Sequence, residues 1–348
     1  GHARPVHGRE QATAVAACRP ARCAHFAPMP LAIDWPPHGT EWGFLCVLAV
    51  ILLGPIAAQR ARLPGLVGLI IGGAVIGPHV LDLVPRSGAV ESIGQIGILF
   101  LMFMAGLELD LDDFARNRTN ALRFGLLTFT LPMGLGIAAA IAGFGYTTSA
   151  AILFGSLWAS HTLVAYPIAR QHGLGADRAV GMAVSGTVIT DTLALFVLAM
   201  VVGLHDGSGS PARIVLGLLV GLAVLLGFAL VLLPRVARWF FRVYAQERSV
   251  RFVATVAAFV ACAFVAHQGG LEGIVGAFFA GLGLNRLIPD RSGLAHALEF
   301  FGSSLLIPFF LISTGMLIDP GGFTDRRTLE LGAAALGVVL VGKASAAW

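Results

Sequence analysis

Charged side chains are scarce in this sequence. They make up 12% of the 348 residues, against about 25% in an ordinary soluble domain. Apolar residues make up 57%, and the mean hydropathy is +0.83. A single aqueous globule cannot cover that much apolar surface with a polar exterior. The composition therefore excludes a soluble enzyme and a disordered tail, and it predicts a chain that crosses a lipid bilayer repeatedly.

Cysteine is also rare, which excludes a disulfide-rich secreted domain. The four cysteines are scattered along the chain: Cys18, Cys23, Cys46 and Cys262. Cys18 and Cys23 lie near His25, but no second pair of ligands accompanies them, so they do not predict a metal site.

Apolar runs between charged or Gly-rich breaks predict eleven spanning segments. A helix needs roughly 20 residues to cross a bilayer, and helices are expected because each backbone group finds its partner within the same segment. The runs do not alternate in polarity as barrel strands would. They lie near 42–58, 64–81, 90–107, 121–143, 149–169, 179–203, 213–234, 252–268, 271–285, 298–318 and 329–348.

The two ends of the sequence differ from this pattern. Residues 1–41 precede the first apolar run and contain no signal peptide, so we expect a disordered leader or upstream translation there. The last apolar run continues to Trp348, and we expect the final span to be cut at that point. The predicted transmembrane domain is therefore 42–348.

Arginine is distributed unevenly among the loops that join the segments. Fourteen arginines flank the odd-numbered loops and 4 flank the even-numbered ones. The most basic loop carries Arg235, Arg238, Arg242, Arg248 and Arg251. Because basic residues concentrate in cytoplasmic loops, the split predicts odd loops in the cytoplasm and an N-terminus outside. The net charge of +4 is explained by the basic residues of the cytoplasmic loops, and we expect no nucleic-acid partner.

Asp191 lies near the middle of the apolar run 179–203. A carboxylate at mid-bilayer costs about 2.5–3.5 kcal/mol to insert, so it needs a partner, a proton or a water-filled cavity. Two hypotheses are open. Asp191 is either a protonated side chain that joins helices by a hydrogen bond, or an acid that carries a proton or cation across the membrane. We favour the second.

Lys343 is the only lysine in the chain, and the other 22 basic residues are arginine. It lies in the last apolar run, beyond Glu330. A buried ammonium can lose its proton, whereas a guanidinium effectively cannot, which favours a functional lysine. The alternative is a lysine that snorkels to the membrane interface.

The fifth apolar run holds a polar cluster at its middle, formed by Ser160, His161 and Thr162 and followed by Pro167. Proline removes a backbone donor and disfavours helix at the preceding residue. The pattern predicts an unwound stretch whose oxygens coordinate a cation, with a kinked helix and back-bonded hydroxyls as the alternative. Histidine in general can change its charge near neutral pH, and it serves equally well as a structural hydrogen-bonding group, so the role of His161 stays open.

Other polar features favour simpler interpretations. An acidic run follows the third span and predicts a solvated cytoplasmic loop, with Arg116 and Arg118 alongside. Its members are Glu108, Asp110, Asp112 and Asp113. The sequence has no phosphate-binding loop, HExxH pair or nucleophile elbow. It therefore predicts no enzyme and no cofactor.

Taken together, the apolar motifs resemble the second group of monovalent cation:proton antiporters, the Kef-type and bacterial sodium/proton exchanger lineage. The matching stretches are PGLVGLIIGGAVIGP (64–78), GILFLMFMAGLELD (97–110), VSGTVITDTLAL (184–195), GLEGIVGAFFAGLGL (270–284) and IPFFLISTGMLID (307–319). They stand in the family's order and span nearly everything from residue 42 onward.

The resemblance implies an all-α polytopic membrane protein with a sodium/proton-antiporter-like inverted-repeat fold and broken helices. That fold has about thirteen helices in two repeats, of which about eleven lie in this sequence, so it is truncated at the C-terminal end. It implies a homodimer with a scaffold and a moving core, in the inner or plasma membrane.

The resemblance also implies an ion-binding site. Asp191 stands at the family's ion-binding aspartate, Lys343 at its intramembrane lysine, and the stretch with Ser160, His161 and Thr162 at its first broken helix. Thr190 precedes Asp191 where many electrogenic members have a second acid, and it can offer an oxygen but no charge. His161 also departs from the small residues usual at its place.

The expected function is exchange of a monovalent cation, Na⁺ or K⁺, for H⁺ by alternating access. Asp191 would hold either a proton or a cation, Thr190 and the broken helix would supply oxygens, and Lys343 would neutralise the empty site. A gated cation channel and an organic-anion symporter of similar fold are the alternatives.

Overall fold

The structure is a computed structural model, and it describes most of the chain from residue 40 onward. Outside the description lie residues 1–39, 87, 110, 160–165, 167, 170–172, 175–176, 206–210, 245–246, 290–291, 325 and 348. All regular structure within the described residues is helical. The all-α prediction is thus confirmed for this part of the chain.

Within the described residues, eleven helices have defined ends, and two of them change their winding partway along. They are α1 Thr40–Arg60, α2 Gly65–Ile76, α3 Gly88–Glu108, α4 Leu111–Phe144, α5 Thr148–Ala159, α6 Arg178–His205, α7 Pro211–Leu226 with Gly227–Leu232 and Leu233–Val243, α8 Arg248–Gln268, α9 Gly273–Leu284, α10 Gly293–Phe301 with Gly302–Leu306 and Ile307–Gly315, and α11 Arg326–Ala347. Short 3₁₀ turns lie at Asn285–Leu287 and Pro320–Thr324.

Length and hydropathy separate these helices into two classes. In the described part of the chain, eight are long and apolar enough to cross a membrane, namely α1, α3, α4, α6, α7, α8, α10 and α11. The apolar helices α2, α5 and α9 have 12 residues each, which is shorter than the roughly 20 residues a full crossing needs. Three of the predicted spans are therefore short helices.

Two helices extend past the apolar runs that predicted them. Helix α4 begins at Leu111, although its apolar part begins at Leu122. Helix α7 continues to Val243, so Arg235, Arg238 and Arg242 lie on a helix and not in a loop. An apolar run marks the part of a helix that is suited to lipid. The helix itself can continue beyond that part.

The change of winding in α7 and α10 has a common cause. Each contains a π-helical turn, Gly227–Leu232 in α7 and Gly302–Leu306 in α10. Pro234 and Pro308 each stand two residues after the end of a π-helical turn. Proline has no N–H for the helix ladder and its ring crowds the carbonyl four residues earlier. The wider π-helical turn just ahead of the proline accommodates the missing N–H and the bulk of the ring, so the helix continues without a break.

The helices pack in two groups. Helices α1, α2, α3, α7, α8, α9 and α10 form the seven-helix group, in which α3 packs on α9 and α10 while α2 packs on α1 and α10. Helices α4, α5, α6 and α11 form the four-helix group, in which α4 contacts the other three. Helix α6 also touches α7, which joins the groups along the chain.

Close glycine contacts organise the centre of the seven-helix group. A Cβ on Gly106 would collide with the Phe278 carbonyl, and a Cβ on Gly281 would collide with the Phe103 carbonyl. Helices α3 and α9 therefore meet backbone to backbone, as small residues allow inside membranes. Phe103 stacks on Phe259 with ring centroids 5.2 Å apart, and both rings are fully buried.

Contacts between helix ends test the predicted alternation of loops. The Asn285 side chain donates to the Leu107 and Leu109 carbonyls, so the third and ninth loops meet. Gly293 lies against the Arg248 guanidinium, which joins the seventh and ninth. At the opposite end, Gly77 lies against Met316, which joins the second and tenth. These three contacts are compatible with the predicted alternation, which itself stays a prediction.

Candidate functional site

The proposed ion-binding aspartate lies near the middle of α6, in the four-helix group. Asp191 is half-buried, and its carboxylate acts electrostatically on the Lys343 ammonium. Lys343 is likewise half-buried, on α11. The two charged residues singled out within apolar runs therefore come close enough to interact, although 151 residues separate them along the chain.

Local packing explains how α11 brings Lys343 to this place. Helix α11 packs on α4, and a Cβ on Gly342 would stand 2.9 Å from both the Cα and the Cγ of Pro132. Glycine is required at such a close approach, and its neighbour Lys343 is thereby held close to the surface of α4. Because α4 also packs on α6, one helix positions both charges.

The crossing of α4 and α6 is equally close beside Asp191. A Cβ on Gly186 would stand 2.9 Å from the Phe124 ring, and a Cβ on Gly125 would stand 2.9 Å from the Ile189 side chain. Each helix thus contributes a glycine to the contact. Ile189 is two residues before Asp191, so the crossing holds this part of α6 against α4.

Thr190 is fully buried beside Asp191. Its hydroxyl donates to the Thr187 carbonyl with an oxygen–oxygen distance of 2.9 Å. Since the hydroxyl proton is directed into its own helix, the oxygen lone pairs are what Thr190 offers to a cation or to a second donor. The residue can contribute to coordination but cannot carry charge.

Hydroxyl groups are concentrated in the four-helix group. Five of the seven buried polar residues in the described part of the chain belong to it: Thr128, Ser156, Ser185, Thr187 and Thr190. Each donates to a carbonyl three or four residues earlier in its own helix. This pattern satisfies the donors inside lipid and leaves acceptor oxygens on the helix surfaces.

Ser160, His161 and Thr162 lie outside the described residues, so their part in the site remains a prediction. The structure describes the chain on either side of these residues. Helix α5 ends at Ala159, and helical structure is present again at Tyr166. Helix α5 packs on α4 and α6, so it belongs to the same helix group as Asp191.

One assignment from the sequence is wrong. Glu108 was expected in a solvated loop, but it is the last residue of α3, and its carboxylate accepts a hydrogen bond from the Tyr166 hydroxyl at 2.8 Å. Tyr166 is 4% exposed. The bond joins the end of α3 to the chain at Tyr166, and no local pattern in the sequence signals it, because its partners are 58 residues apart.

The described residues contain no group of three or more His, Cys, Asp or Glu side chains that could hold a resident metal ion. Cys18, Cys23 and His25 lie outside them. What the described site offers is one carboxylate, one ammonium and buried hydroxyl oxygens. A carboxylate so placed can exchange a proton for a monovalent cation, since either one neutralises it.

This fold and this site define a helical multi-pass membrane protein in which one helix group carries a charged pair and buried hydroxyl groups. The family model described as the transmembrane sodium/hydrogen exchanger matches residues 47–348. The chain therefore belongs to the sodium/hydrogen exchanger family, which is a family of transporters.

Individual relatives agree with this assignment. The Na⁺/H⁺ antiporter NhaS5 of Synechocystis is 39% identical over 286 residues, which cover 82% of this chain and 40% of NhaS5. Cation/H⁺ antiporter 18 of Arabidopsis thaliana is 26% identical, over 78% of this chain and 36% of that protein. The chain thus spans well under half the length of these two relatives.

Shorter relatives are matched over more of their length. The Na⁺/H⁺-K⁺ antiporter GerN of Bacillus cereus is 28% identical over 82% of this chain and 74% of GerN. Among solved structures, the sodium proton antiporter MjNhaP1 of Methanocaldococcus jannaschii has a TM-score of 0.60 at 18% identity, over 85% of this chain and 74% of that one. This structural likeness concerns the fold.

Proposed function

We propose that the protein is a secondary active transporter that exchanges Na⁺ or K⁺ for H⁺ across a membrane. The observation that carries the proposal is the interaction of Asp191 with Lys343 inside a hydroxyl-rich helix group, in a chain of the sodium/hydrogen exchanger family. The choice of cations is supported by relatives whose names include Na⁺/H⁺ and Na⁺/H⁺-K⁺ antiporters.

Exchange follows from competition at one carboxylate. Asp191 binds either a proton or a partly dehydrated cation, because one positive charge is enough to neutralise it in a low-dielectric site. Thr190 provides a hydroxyl oxygen, and Ser160, Thr162 and His161 complete the proposed coordination. Lys343 neutralises Asp191 when both proton and cation are absent, so the empty site is not left with an unpaired buried charge.

Alternating access follows from the two helix groups. The four-helix group carries the charged pair, and the seven-helix group is held together by backbone contacts between α3 and α9. We assign the first to the moving core and the second to the scaffold. A rigid-body shift of one against the other would expose Asp191 to each side in turn.

The proposal is tested by transport in vesicles that contain the full-length protein. An imposed Na⁺ or K⁺ gradient should drive protons in the opposite direction, and Asp191→Asn should abolish this while the protein stays inserted and folded. Asp82→Asn is the matched control. Asp82 is exposed and has φ 47°, a conformation that Asn tolerates, so transport should be unchanged.

The result also separates exchange from the main alternative. A gated cation channel would dissipate the cation gradient without obligatory proton movement in the other direction. Cation flux that continues at full rate when proton movement is prevented would therefore overturn the exchange mechanism.

Orientation is part of the proposal, with odd loops in the cytoplasm and the N-terminus outside. It is supported by the split of fourteen arginines against 4. In a cysteine-free background, Thr147→Cys should react with an impermeant thiol reagent added outside cells, whereas Glu247→Cys should react only after lysis. Both positions are exposed. Labelling in the reverse order would overturn the orientation.

We also propose a homodimer in the inner or plasma membrane. Large apolar side chains are exposed on α7 and α8, including Leu219, Val220 and Phe264, and they would be covered by lipid or by a second copy. Native mass spectrometry of the detergent-solubilised protein should give twice the monomer mass. A monomer that retains exchange would refute the dimer and leave the transport mechanism intact.

A further inference from the structure

Helix α9 is too short to cross a bilayer, and the missing length lies at one end of it. Its 12 residues rise about 18 Å, against a hydrocarbon core of about 30 Å. The C-terminal end of α9 is level with the end of α3, because Asn285, directly after α9, donates to the Leu107 and Leu109 carbonyls. The missing length therefore lies toward the start of α3. We call this the even-loop end, since the second and tenth loops meet there.

Close contacts place the N-terminus of α9 near the middle of the span. A Cβ on Gly273, the first residue of α9, would stand 3.3 Å from the Leu99 side chain, and Leu99 lies near the middle of α3. The turn before α9 is equally deep. A Cβ on Gly221 would collide with the Gly269 carbonyl of this turn, and Gly221 is ten residues after the start of α7.

This deep turn carries a carboxylate. Glu272 directly precedes α9, and it is exposed. Polar side chains at this position commonly accept a hydrogen bond from a backbone N–H of the helix that follows, but Glu272 makes no such bond. Among the described residues, its carboxylate has no hydrogen-bond or ion-pair partner. Glu272 is therefore not explained as a helix cap or as half of an ion pair.

Glu272 lies at about the depth of Asp191. A Cβ on Gly181, near the start of α6, would stand 3.2 Å from the Leu109 side chain. Asp191 is ten residues further along α6, which is a rise of about 15 Å. The residue after Glu272 is level with Leu99, which is ten residues before Leu109 and thus about the same distance from it. Each helix group therefore has one carboxylate at this depth.

An exposed carboxylate at mid-span has few permitted surroundings. Facing lipid is costly, so intramembrane acids face a partner or a water-filled cavity. Irregular backbone at this depth is likewise tolerated only where protein or water covers it. Glu272 has no partner in the part of the chain that the structure describes, so its exposure requires water. The length missing from α9 gives water access from the even-loop end.

We propose that Glu272 lines the passage from the even-loop end to Asp191 and binds the transported cation on its way to that site. A carboxylate in a narrow passage raises the local concentration of cations, and it offers an oxygen ligand before the cation reaches α6. The proposal rests on the exchange function proposed above. In that mechanism Glu272 stays with the scaffold while Asp191 moves with the core, so Glu272 serves only the state that is open to the even-loop end.

Thiol accessibility tests the passage without depending on transport. In a cysteine-free background, Glu272→Cys should react with an impermeant, water-soluble thiol reagent added on the side from which Thr147→Cys reacts. It should not react from the side of Glu247→Cys. Ala277→Cys, at a buried position of the same helix, should react from neither side. A Glu272→Cys protein that reacts from neither side, or only from the Glu247 side, would overturn the passage.

Sided kinetics test the role of the carboxylate in vesicles of the full-length protein. With Na⁺ or K⁺ supplied on the even-loop side, Glu272→Gln should raise the KM for that cation about tenfold, which corresponds to about 1.4 kcal/mol. The KM from the other side should not change. Glu272→Asp keeps the charge and should keep the KM. Glu41→Gln is the matched control, since Glu41 is exposed in the first turn of α1, where Gly43 faces Val84 of the second loop.

The two measurements separate this inference from the exchange function. Absence of exchange in the unchanged protein would overturn the exchange function and with it this role of Glu272. Intact exchange, with a Glu272→Gln effect on the KM no larger than that of Glu41→Gln, would overturn the role of Glu272 alone. An equal rise of the KM from both sides would overturn it as well, because a residue of the even-loop passage acts from one side.

Discussion

The two helix groups bury different kinds of surface. In the seven-helix group, glycines bring backbones together and rings such as Phe100 and Phe103 fill the remaining space. Among the candidate spans, α3 and α10 are the most buried, 56% in each case, whereas α1, α7 and α8 of the same group are buried to 17%, 22% and 28%. In the four-helix group, α4 and α6 are buried to 33% and 35% and α11 to 6%. The first group therefore has a tightly packed centre at α3 and α10, and the second holds most of the buried hydroxyl groups and the charge pair.

This difference has a physical reason. Inside a bilayer, apolar burial gives helices little reason to associate, so close van der Waals packing of small residues is what holds a rigid support together. Close glycine contacts occur in both groups, since Gly342 and Gly186 approach α4 just as Gly281 approaches α3. The groups differ in what else they bury, which is mainly aromatic rings in the first and hydroxyl oxygens in the second. Substitutions in each group test this difference.

The largest effect is expected when the charge pair is broken from one side. Lys343→Met should lower the free energy of unfolding by about 3–5 kcal/mol, because it leaves Asp191 without its partner in a low-dielectric site. Asp191→Asn should cost less, since Asn is nearly isosteric and uncharged. Thermal or denaturant unfolding of purified protein measures both.

The double variant is the control for coupling. Asp191→Asn together with Lys343→Met should recover most of the stability lost in Lys343→Met, and it should not transport. Losses that simply add in this cycle would show that the two side chains are not coupled. Lys343 would then be an interfacial anchor, and Asp191 would act alone.

The next effect separates backbone contacts from side-chain contacts. Gly281→Ala in the seven-helix group forces a Cβ against the Phe103 carbonyl, which cannot move aside, and it should cost about 1–3 kcal/mol. Gly186→Ala in the four-helix group meets the Phe124 ring at 2.9 Å and the Gly125 Cα at an ordinary 3.7 Å, so it should cost less. Gly134→Ala is the control, because nothing lies within 4 Å of its Cβ position.

The control should even gain stability. Alanine in a helix interior is favoured over glycine by about 0.5–1 kcal/mol, so Gly134→Ala should unfold at a higher temperature than the unchanged protein. Equal losses in Gly281→Ala and Gly186→Ala would mean that the two groups are packed alike, and the distinction between support and moving core would lose its basis.

The helices themselves could be predicted because hydropathy and turn residues are local signals. Helix α2 ends at Ile76 and not at residue 81, although Val80 and Leu81 are apolar, because Gly77 precedes a proline and is pushed out of helical geometry. Pairing across the fold is not local. Asp191 and Lys343 could each be singled out because a charged side chain is costly in free energy to place inside a bilayer. The contact of Glu108 with Tyr166 could not, because it depends on how distant segments pack.

A smaller effect concerns the bond between Tyr166 and Glu108. Tyr166→Phe removes the hydroxyl that donates to Glu108 and should lower the free energy of unfolding by about 1–2 kcal/mol. Amide hydrogen exchange should become faster at the end of α3. Tyr146→Phe is the matched control, since its ring packs on Phe144 and Phe154 and the change keeps that ring. If both variants behave alike, the hydroxyl of Tyr166 does not stabilise the end of α3.

The smallest effect on stability, and the most specific on function, concerns two buried threonines. Thr190 in the four-helix group and Thr255 in the seven-helix group are both fully buried, and each donates to its own helix, at 2.9 Å and 2.8 Å. Thr190→Val and Thr255→Val should therefore lower the free energy of unfolding by similar amounts, about 0.5–1.5 kcal/mol. Only Thr190→Val removes an oxygen beside Asp191, so only it should raise the KM for the transported cation, about tenfold for the loss of one such ligand. Thr190→Ser keeps the oxygen and should restore the KM. If Thr255→Val raises the KM as much as Thr190→Val does, the buried hydroxyls affect the KM through helix packing. The Thr190 hydroxyl is then not a ligand of the cation.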